Sequence, residues 1–220
     1  MNSKAIKEYK KGLVLTKMQR EILVGLLLGD GHLETQNGGK TYRLKVEHSV
    51  EQREYLEWVY GYFKEWVRTA PSLKYKNGKP FSYWFTTYTH PLFVSYAKLF
   101  YQGRQKIVPP NLREHLTSLG LSVWFMDDGS RKSERHRTYI IHTVGFGKEE
   151  QGILQGTLLK EFNIQTTLHR QKEKYWRLYI PSESVMVFRK HVSPYIIPSM
   201  RYKLGNINAQ KVTEEFIKVG

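Results

Sequence analysis

Two aspartates in this sequence each close an apolar segment and each precede a glycine. The segments are LVGLLLGDG, from Leu23 to Gly31, and LSVWFMDDG, from Leu121 to Gly129, so Asp30 and Asp128 lie 98 residues apart. A single Asp-Gly after an apolar helix is ordinarily a C-terminal cap, because glycine takes positive φ at little cost. Aspartate is badly placed there, since its charge faces the negative end of the helix dipole. The same penalty at two equivalent positions predicts that something positive is bound beside them. Gly25 and Gly29 are four residues apart and permit close helix–helix approach. If the two apolar helices pack together, Asp30 and Asp128 meet at one end. Two carboxylates with backbone carbonyls beside them form an oxygen-only site suited to Mg²⁺.

The elements that must hold those aspartates are themselves repeated. Tyr83-Trp84 recurs as Tyr175-Trp176, and Ile107-Val108-Pro109 recurs as Ile196-Ile197-Pro198, in the same order and at a steadily shrinking offset. A duplicated unit with shorter loops in its second copy has this signature. Apolar periodicity predicts helices over 17–30 (with Thr16 as N-cap), 50–67, 90–101, 118–128, 148–162 and 182–191. Alternating segments predict strands at 32–35 and 41–47 around Asn37-Gly38-Gly39, and at 72–76 and 81–87 around Asn77-Gly78. Further strands are predicted at 130–134, 138–143, 166–170 and 175–180. The result is an α+β fold of two pseudo-symmetric αββαββα halves. Residues 1–16 form a basic N-terminal segment, 17–102 the first half, 103–117 a linker holding Pro109-Pro110, and 118–220 the second half. The polar tail after Tyr202 is expected to pack loosely. Tyr83, Trp84, Tyr175 and Trp176 are expected to serve core or sheet packing, not base stacking.

Composition narrows the partners. Lys plus Arg number 35 against 20 Asp plus Glu, a formal net charge of +15, which points to a polyanion and most directly to nucleic acid. The basic residues are spread along the chain and not gathered on one amphipathic helix, which argues against a membrane surface. The absence of cysteine excludes disulfides, zinc–thiolate sites and cysteine nucleophiles. The start, MNSKAIKEYKKG, has no apolar signal core, and nowhere is there a run of 18 apolar residues. The chain is therefore expected to be intracellular, with no membrane partner.

Taken together, these residues resemble the LAGLIDADG homing endonucleases in their monomeric, two-motif branch. Leu23–Gly31 carries Gly25, Gly29, Asp30 and Gly31 in register with the nine-residue signature. Leu121–Gly129 departs from it at Val123 and Asp127, where small residues are usual. WFMDDG (124–129), KEYK (7–10), KIVPPNL (106–112) and IIPSMRYKL (196–204) are also similar to monomeric members, so the resemblance runs over nearly the whole chain. It implies that the two antiparallel sheets form a DNA-binding saddle, with the signature helices packed at a pseudo-twofold axis. It implies a monomer that cuts both strands of double-stranded DNA at a long asymmetric target, leaving short 3′ overhangs, and a gene carried within an intron. It also implies Mg²⁺ (or Mn²⁺) held by Asp30 and Asp128, with the Gly29 and Asp127 carbonyls nearby. The setting it implies is a mitochondrion, a chloroplast, or a bacterial or archaeal cytoplasm.

Other residues follow from the same resemblance. Lys106 and Lys203 match basic residues near the cleavage centre, where they either stabilise the reacting phosphate and orient water or make ordinary phosphate contacts. Glu47, His48 and Thr143 fall where the family keeps polar residues at strand ends, and His48 reads as a solvated strand end. The Asp127 side chain is expected to be solvated or salt-bridged, only its backbone position matching the family. Arg43, Lys45, Lys74, Lys76, Arg131, Lys132, Arg135, Arg137, Arg170, Lys172, Lys174 and Arg177 cluster in the strands and hairpins. There they are expected to read base edges or to contact phosphates. An RNA-binding intron maturase on the same fold is the rival reading, but it has no need of an aspartate pair. A transcription regulator is a weaker rival, since no added helix-turn-helix segment is present. Members often place Gln after Thr on the strand before the central helix. Here the halves read Glu47-His48 and His142-Thr143-Val144, so the two strands are expected to be cut at unequal rates.

Overall fold

The computed structural model describes residues 3–132, 138–171 and 175–205. Helix α1 (Ser3–Lys11) precedes a first half made of α2 (Lys17–Leu28), β1 (His32–Glu34), β2 (Arg43–Ser49), α3 (Arg53–Phe63), β3 (Ser72–Lys76), β4 (Lys79–Thr86) and α4 (Phe93–Phe100). A short hairpin follows, β5 (Tyr101–Gln102) and β6 (Gln105–Lys106). The second half repeats the order with α5 (Ser118–Asp128), β7 (Gly129–Arg131), β8 (Tyr139–Ile141), α6 (Lys148–Phe162), β9 (Thr167–Gln171), β10 (Tyr175–Ile180) and α7 (Val185–Val192). Both halves are αββαββα, as the periodicity predicts. Their antiparallel sheets share one topology, β1-β2-β4-β3 and β7-β8-β10-β9, and together make the two-sheet saddle of this fold class.

The central helices explain the rest of the packing. Threonine caps each one at its N-terminus: Thr16 accepts from the Gln19 N–H, with Gln19 completing a capping box, and Thr117 accepts from the Gly120 N–H. Past its first turns α2 is buried continuously from Ile22 to Leu28, and α5 from Leu119 to Asp127, as expected of helices enclosed on all sides. The two touch through glycine. A Cβ on Gly25 would sit 2.4 Å from the Gly120 carbonyl oxygen and 2.7 Å from Val123 Cβ. Val123 is thus tolerated where a small residue is usual because the facing residue has no side chain. Gly120, just before the second apolar segment, is the partner that the sequence reading did not single out.

Several details differ from the sequence-based expectations. Helix α2 ends at Leu28, two residues before Asp30, while α5 runs through Asp128. Residues 103–117 contain β6, a 3₁₀ turn at Leu112–Glu114 and the buried side chains Val108, Leu112 and Leu116. The tail after Tyr202 does not pack loosely at its start. Lys203 and Leu204 are buried, and the Leu204 carbonyl accepts from the Tyr139 hydroxyl at 2.9 Å and from Arg189 Nη1 at 2.9 Å. Tyr83 is in the core as expected, but Tyr175 is exposed. It opens β10 opposite Gln171, at the end of the strand away from Ile180. Trp84 and Trp176 are partly buried beneath cations, Lys74 Nζ 5.4 Å and Arg170 Cζ 4.8 Å from the ring centroids.

Candidate metal centre and strand faces

The two motif helices end side by side, and their acids are electrostatically coupled. Asp128 is largely buried, and burial together with the nearby Asp30 carboxylate pushes its carboxyl up to about 7, against the pull of Lys106 and Lys203. Asp30 is half exposed, its side chain 49% accessible. The backbone explains the difference. At the end of α2 the Gly29 N–H still bonds the Gly25 carbonyl, but Gly29 then turns out of the helix with φ −98° and ψ −132°. The next N–H, that of Asp30, donates at 2.9 Å to Asp127 Oδ2 of the other half. At the end of α5 the ladder continues unbroken, and the Gly129 N–H bonds Phe125 O.

Asp127 is therefore not solvated, one of the two roles expected from sequence, but a fully buried side chain reaching across the interface, with His48 Nε2 3.7 Å from its Oδ1. Its Oδ1 accepts from the Tyr55 hydroxyl at 2.7 Å. There is room for it because the residue opposite is Gly29, whose Cβ would lie 2.3 Å from Asp127 Oδ2. Burial, reinforced by the Asp30 charge, raises the Asp127 carboxyl well above the usual carboxylate range, outweighing the two hydrogen bonds.

His48 also departs from expectation. Its side chain is 1% exposed, with Nδ1 3.6 Å from Asp30 Oδ2 and Nε2 3.7 Å from Asp127 Oδ1. The Tyr55 ring packs against it at 4.9 Å, and Gln52 borders the imidazole. Its Nε2 has no hydrogen-bond partner. Burial lowers its pKa below the ordinary histidine range, with Asp30 opposing and Lys203 reinforcing the shift. Strand alternation points residue 48 inward: β2 buries Leu44, Val46 and His48 in turn. Register makes Thr143 the equivalent in the second half, since Lys45 lies opposite His32 while Ile140 lies opposite Ser130. Thr143 is buried too, bonded to Gln151 Oε1 at 2.8 Å and to the Trp176 carbonyl at 3.2 Å. Asp30, His48 and Asp127 each offer one donor atom within 4.8 Å of the others, a grouping able to hold a metal ion.

Two lysines close the ends of the motif helices. Lys106 Nζ donates to the carbonyls of Gly29 (2.7 Å) and Gly31 (2.8 Å). Lys203 Nζ donates to the carbonyls of Met126 and, at 3.0 Å, Asp127. Each lysine serves its own half and puts positive charge on the negative end of a helix dipole. Burial draws both ammoniums below the usual lysine range, while Asp127, Asp128 and Asp30 hold them up. A carbonyl has two lone pairs, so Gly29 and Asp127 retain one each for an ion.

The strand cations differ between the sheets. In the first, Glu34 takes Arg43 (2.8 Å) and Lys45 (3.7 Å), while Glu47 takes Lys74 (2.6 Å), Lys45 (3.4 Å) and the Ser82 hydroxyl (2.7 Å). Burial works against ionisation of Glu47, but Lys74, Ser82 and Lys45 outweigh it and bring its carboxyl down to about 2. The second sheet has no acidic residue in any of its four strands. Its Lys132 and Arg170 stand over Tyr179 and Trp176 instead. Lys76 is exposed, Arg131 and Arg177 are partly covered, and Arg177 Nε is buried without a partner. Arg135, Arg137, Lys172 and Lys174 lie outside the described residues. Tyr55, which fixes Asp127, was legible in the sequence only as one apolar position of an amphipathic helix. Its signal was the misfit of Asp127 opposite a glycine.

Comparison with known proteins agrees with this geometry. The model of the LAGLIDADG DNA endonuclease family matches residues 20–188. The chain is 34% identical over 213 residues to a probable intron-encoded endonuclease 1 of Wickerhamomyces canadensis, covering 92% of this chain and 91% of that one. It is 30% identical over 200 residues to the cytochrome b mRNA maturase bI2 of Debaryomyces hansenii, covering 87% and 75%. The solved structure of the homing endonuclease I-WcaI bound to its DNA recognition sequence superposes with a TM-score of 0.87 at 34% identity, covering 94% of this chain and 95% of that one. With two motif helices in one chain, two repeated halves and a family match across both, this protein belongs to the LAGLIDADG DNA endonuclease family.

Proposed function

We propose that this chain is a homing endonuclease that binds double-stranded DNA as a single chain and cuts both strands at a long asymmetric site. The observation that carries this reading is the convergence of Asp30 and Asp128 at the ends of paired helices, where burial, reinforced by the Asp30 charge, raises the Asp128 carboxyl to about 7. An acid pair so costly to ionise is stabilised by a cation. The donor set fits a divalent ion, Mg²⁺ or Mn²⁺, held by Asp30 and Asp128 with the Gly29 and Asp127 carbonyls beside them. When bound, such an ion supplies Lewis acidity to a phosphodiester and lowers the pKa of water.

The protein's own groups do the rest. Lys106 and Lys203 fix the carbonyls that border the centre and offer positive charge to a phosphate lying across it. The sheets offer Arg43, Lys45, Lys74, Lys76, Arg131, Lys132, Arg170 and Arg177 to the nucleic acid, and Arg135, Arg137, Lys172 and Lys174, outside the described residues, are proposed as further DNA contacts. Binding of a long basic surface releases counterions and falls steeply with salt. We divide the chain as a basic N-terminal segment 1–16, motif halves 17–102 and 118–220, and a connecting stretch 103–117. No described helix is long and apolar enough to cross a membrane, and an organelle holding an intron-bearing gene is the proposed setting.

The maturase reading, with intron RNA as ligand, is the second one, supported by the likeness to the Debaryomyces hansenii protein. The test is incubation with Mg²⁺ and a supercoiled plasmid carrying the joined exons that flank the open reading frame. A linear product supports the nuclease. An intact plasmid, with tight binding to the intron transcript, overturns it in favour of the maturase.

A further inference from the structure

We infer that His48 is a nitrogen donor to the metal at Asp30, backed by the Asp127 carboxylate, so that the two cleavage centres of one molecule differ in donor set. The inference rests on the proposal that Asp30 binds a metal, and it concerns what else binds that ion.

The argument is one of spacing. His48 Nδ1 faces Asp30 Oδ2 at 3.6 Å, and Nε2 faces Asp127 Oδ1 at 3.7 Å. Both separations are too long for hydrogen bonds. Yet His48 is enclosed, its side chain 1% exposed, and Nε2 is an orphan. A buried polar atom left unpaired is costly and calls for an explanation. Ligands about 2.1 Å from a metal and roughly 90–120° apart stand roughly 3.0–3.6 Å from each other. The Nδ1–Oδ2 distance falls in that range, so the pair is spaced as two ligands of one ion. On the other side of the ring, a proton on Nε2 points at the buried Asp127 carboxylate. Carboxylate–histidine–metal order of this kind fixes the tautomer and the ring orientation and raises ligand basicity. Asp127 is itself held by the Tyr55 hydroxyl and the Asp30 N–H, so a small movement of the imidazole closes the chain of contacts.

Among the described residues, the second half has no such donor. Thr143 occupies the equivalent position with its hydroxyl engaged by Gln151 and Trp176. The neighbouring His142 is bonded through Nε2 to Ser130 Oγ at 3.0 Å. Gly29, the counterpart of Asp127, has no side chain to back a ligand. The second centre is thus oxygen-only and suits Mg²⁺, while the first adds imidazole, which favours transition ions such as Mn²⁺ over Mg²⁺.

The full chain without DNA, loaded with Mn²⁺ alone, tests this by pulsed electron paramagnetic resonance. Wild type and Asp128→Asn should both show modulation from a coupled ¹⁴N nucleus, and Asp30→Asn should not. His48→Gln should lose the nitrogen signal while keeping its melting transition, and its Mn²⁺ affinity should fall by about ten-fold or more with Mg²⁺ affinity changed less than Mn²⁺ affinity. Mn²⁺ bound in wild type with no nitrogen coupling, or coupling that survives His48→Gln, overturns the inference and leaves the nuclease reading intact. Should His48→Gln fail to fold, loss of coupling in Asp30→Asn and its persistence in Asp128→Asn decide. Loss of all Mn²⁺ binding in wild type would overturn both readings.

Discussion

The two halves share an element order, a sheet topology, a capped central helix and a lysine on its terminal carbonyls, yet around the motif acids and the sheet cations they have been built differently. At the end of α2 the backbone leaves the helix early, Asp30 is half exposed, and the buried Asp127 carboxylate of the partner half takes its N–H. At the end of α5 the helix runs on, Asp128 is mostly covered, and the facing residue is glycine. His48 stands beside Asp30, whereas Thr143 holds the equivalent strand position in the second half and bonds Gln151 and the Trp176 carbonyl. The first sheet pairs its cations with Glu34 and Glu47, and the second rests its cations on aromatic faces. Duplication within one chain removes the constraint that both copies be identical, and the packing surface between them permits divergence wherever one side gives up volume. Gly29 yields room for Asp127, and Gly25 yields room for Val123.

The sharpest way to separate the halves is to disable them one at a time. Asp30→Asn and Asp128→Asn should each slow cutting of one strand by on the order of a thousand-fold and abolish linearisation, while DNA binding persists. Time courses with each strand end-labelled will show which strand each acid serves; linear product from either variant would refute the metal-pair assignment. Packing gives the next effect. Gly25→Ala drives a Cβ to 2.4 Å from a backbone carbonyl and should cost about 3 kcal/mol. Gly120→Ala, whose Cβ meets Glu21 O at 3.0 Å, should cost about 1 kcal/mol. Equal losses on thermal or denaturant unfolding would show that the interface relaxes symmetrically.

Charge predicts stability changes of opposite sign. The Asp128 carboxyl is raised to about 7 in the folded protein, above its unfolded value of about 4. As pH rises from about 4 the unfolded chain releases this proton first, so stability falls until about pH 7 and the cost is complete above it. Asp128→Asn escapes the cost and should be more stable than wild type at pH 8 by about 4 kcal/mol, without divalent metal, and no different near pH 4. Unfolding curves at the two pH values check it. In wild type, the strand labels should also reveal unequal rates, about ten-fold apart, with nicked circles accumulating; equal rates would deny the asymmetry any catalytic meaning. The smallest effect is at Glu47, whose carboxyl is held down at about 2. Its stabilisation is present above an unfolded value of about 4.3 and is lost as pH falls through about 2. Being partly exposed, it is worth roughly 1 kcal/mol. Glu47→Gln should lose that much at pH 7 and match wild type below pH 2.

The sequence alone was enough to find the two motifs, their acids, and most of the elements around them. Helices 118–128 and 148–162 and strands 72–76 and 175–180 end where their patterns end, because hydrophobic period and turn residues are local properties. The threonine cap at Thr16 and the Asn77-Gly78 turn, with φ of 52° and 74°, are local too. Helix α2 stops short of its pattern at Leu28, and the N–H of Asp30 beyond it bonds Asp127 Oδ2 across the interface. What only the tertiary structure decided lies between elements far apart in sequence. Alternation places His48 inward, but not opposite Asp30 and Asp127. A misfit at Asp127 can be seen in the motif, but not the Tyr55 hydroxyl that anchors it from 72 residues away. Lys106 and Lys203 match family positions, while their attachment to helix-end carbonyls depends on the short β5–β6 hairpin and on the chain's return at 198–203. Period and propensity fix which face of an element turns inward. Which atoms it then meets is set by how two halves approach, and here that distance was set by Gly25, Gly29 and Gly120.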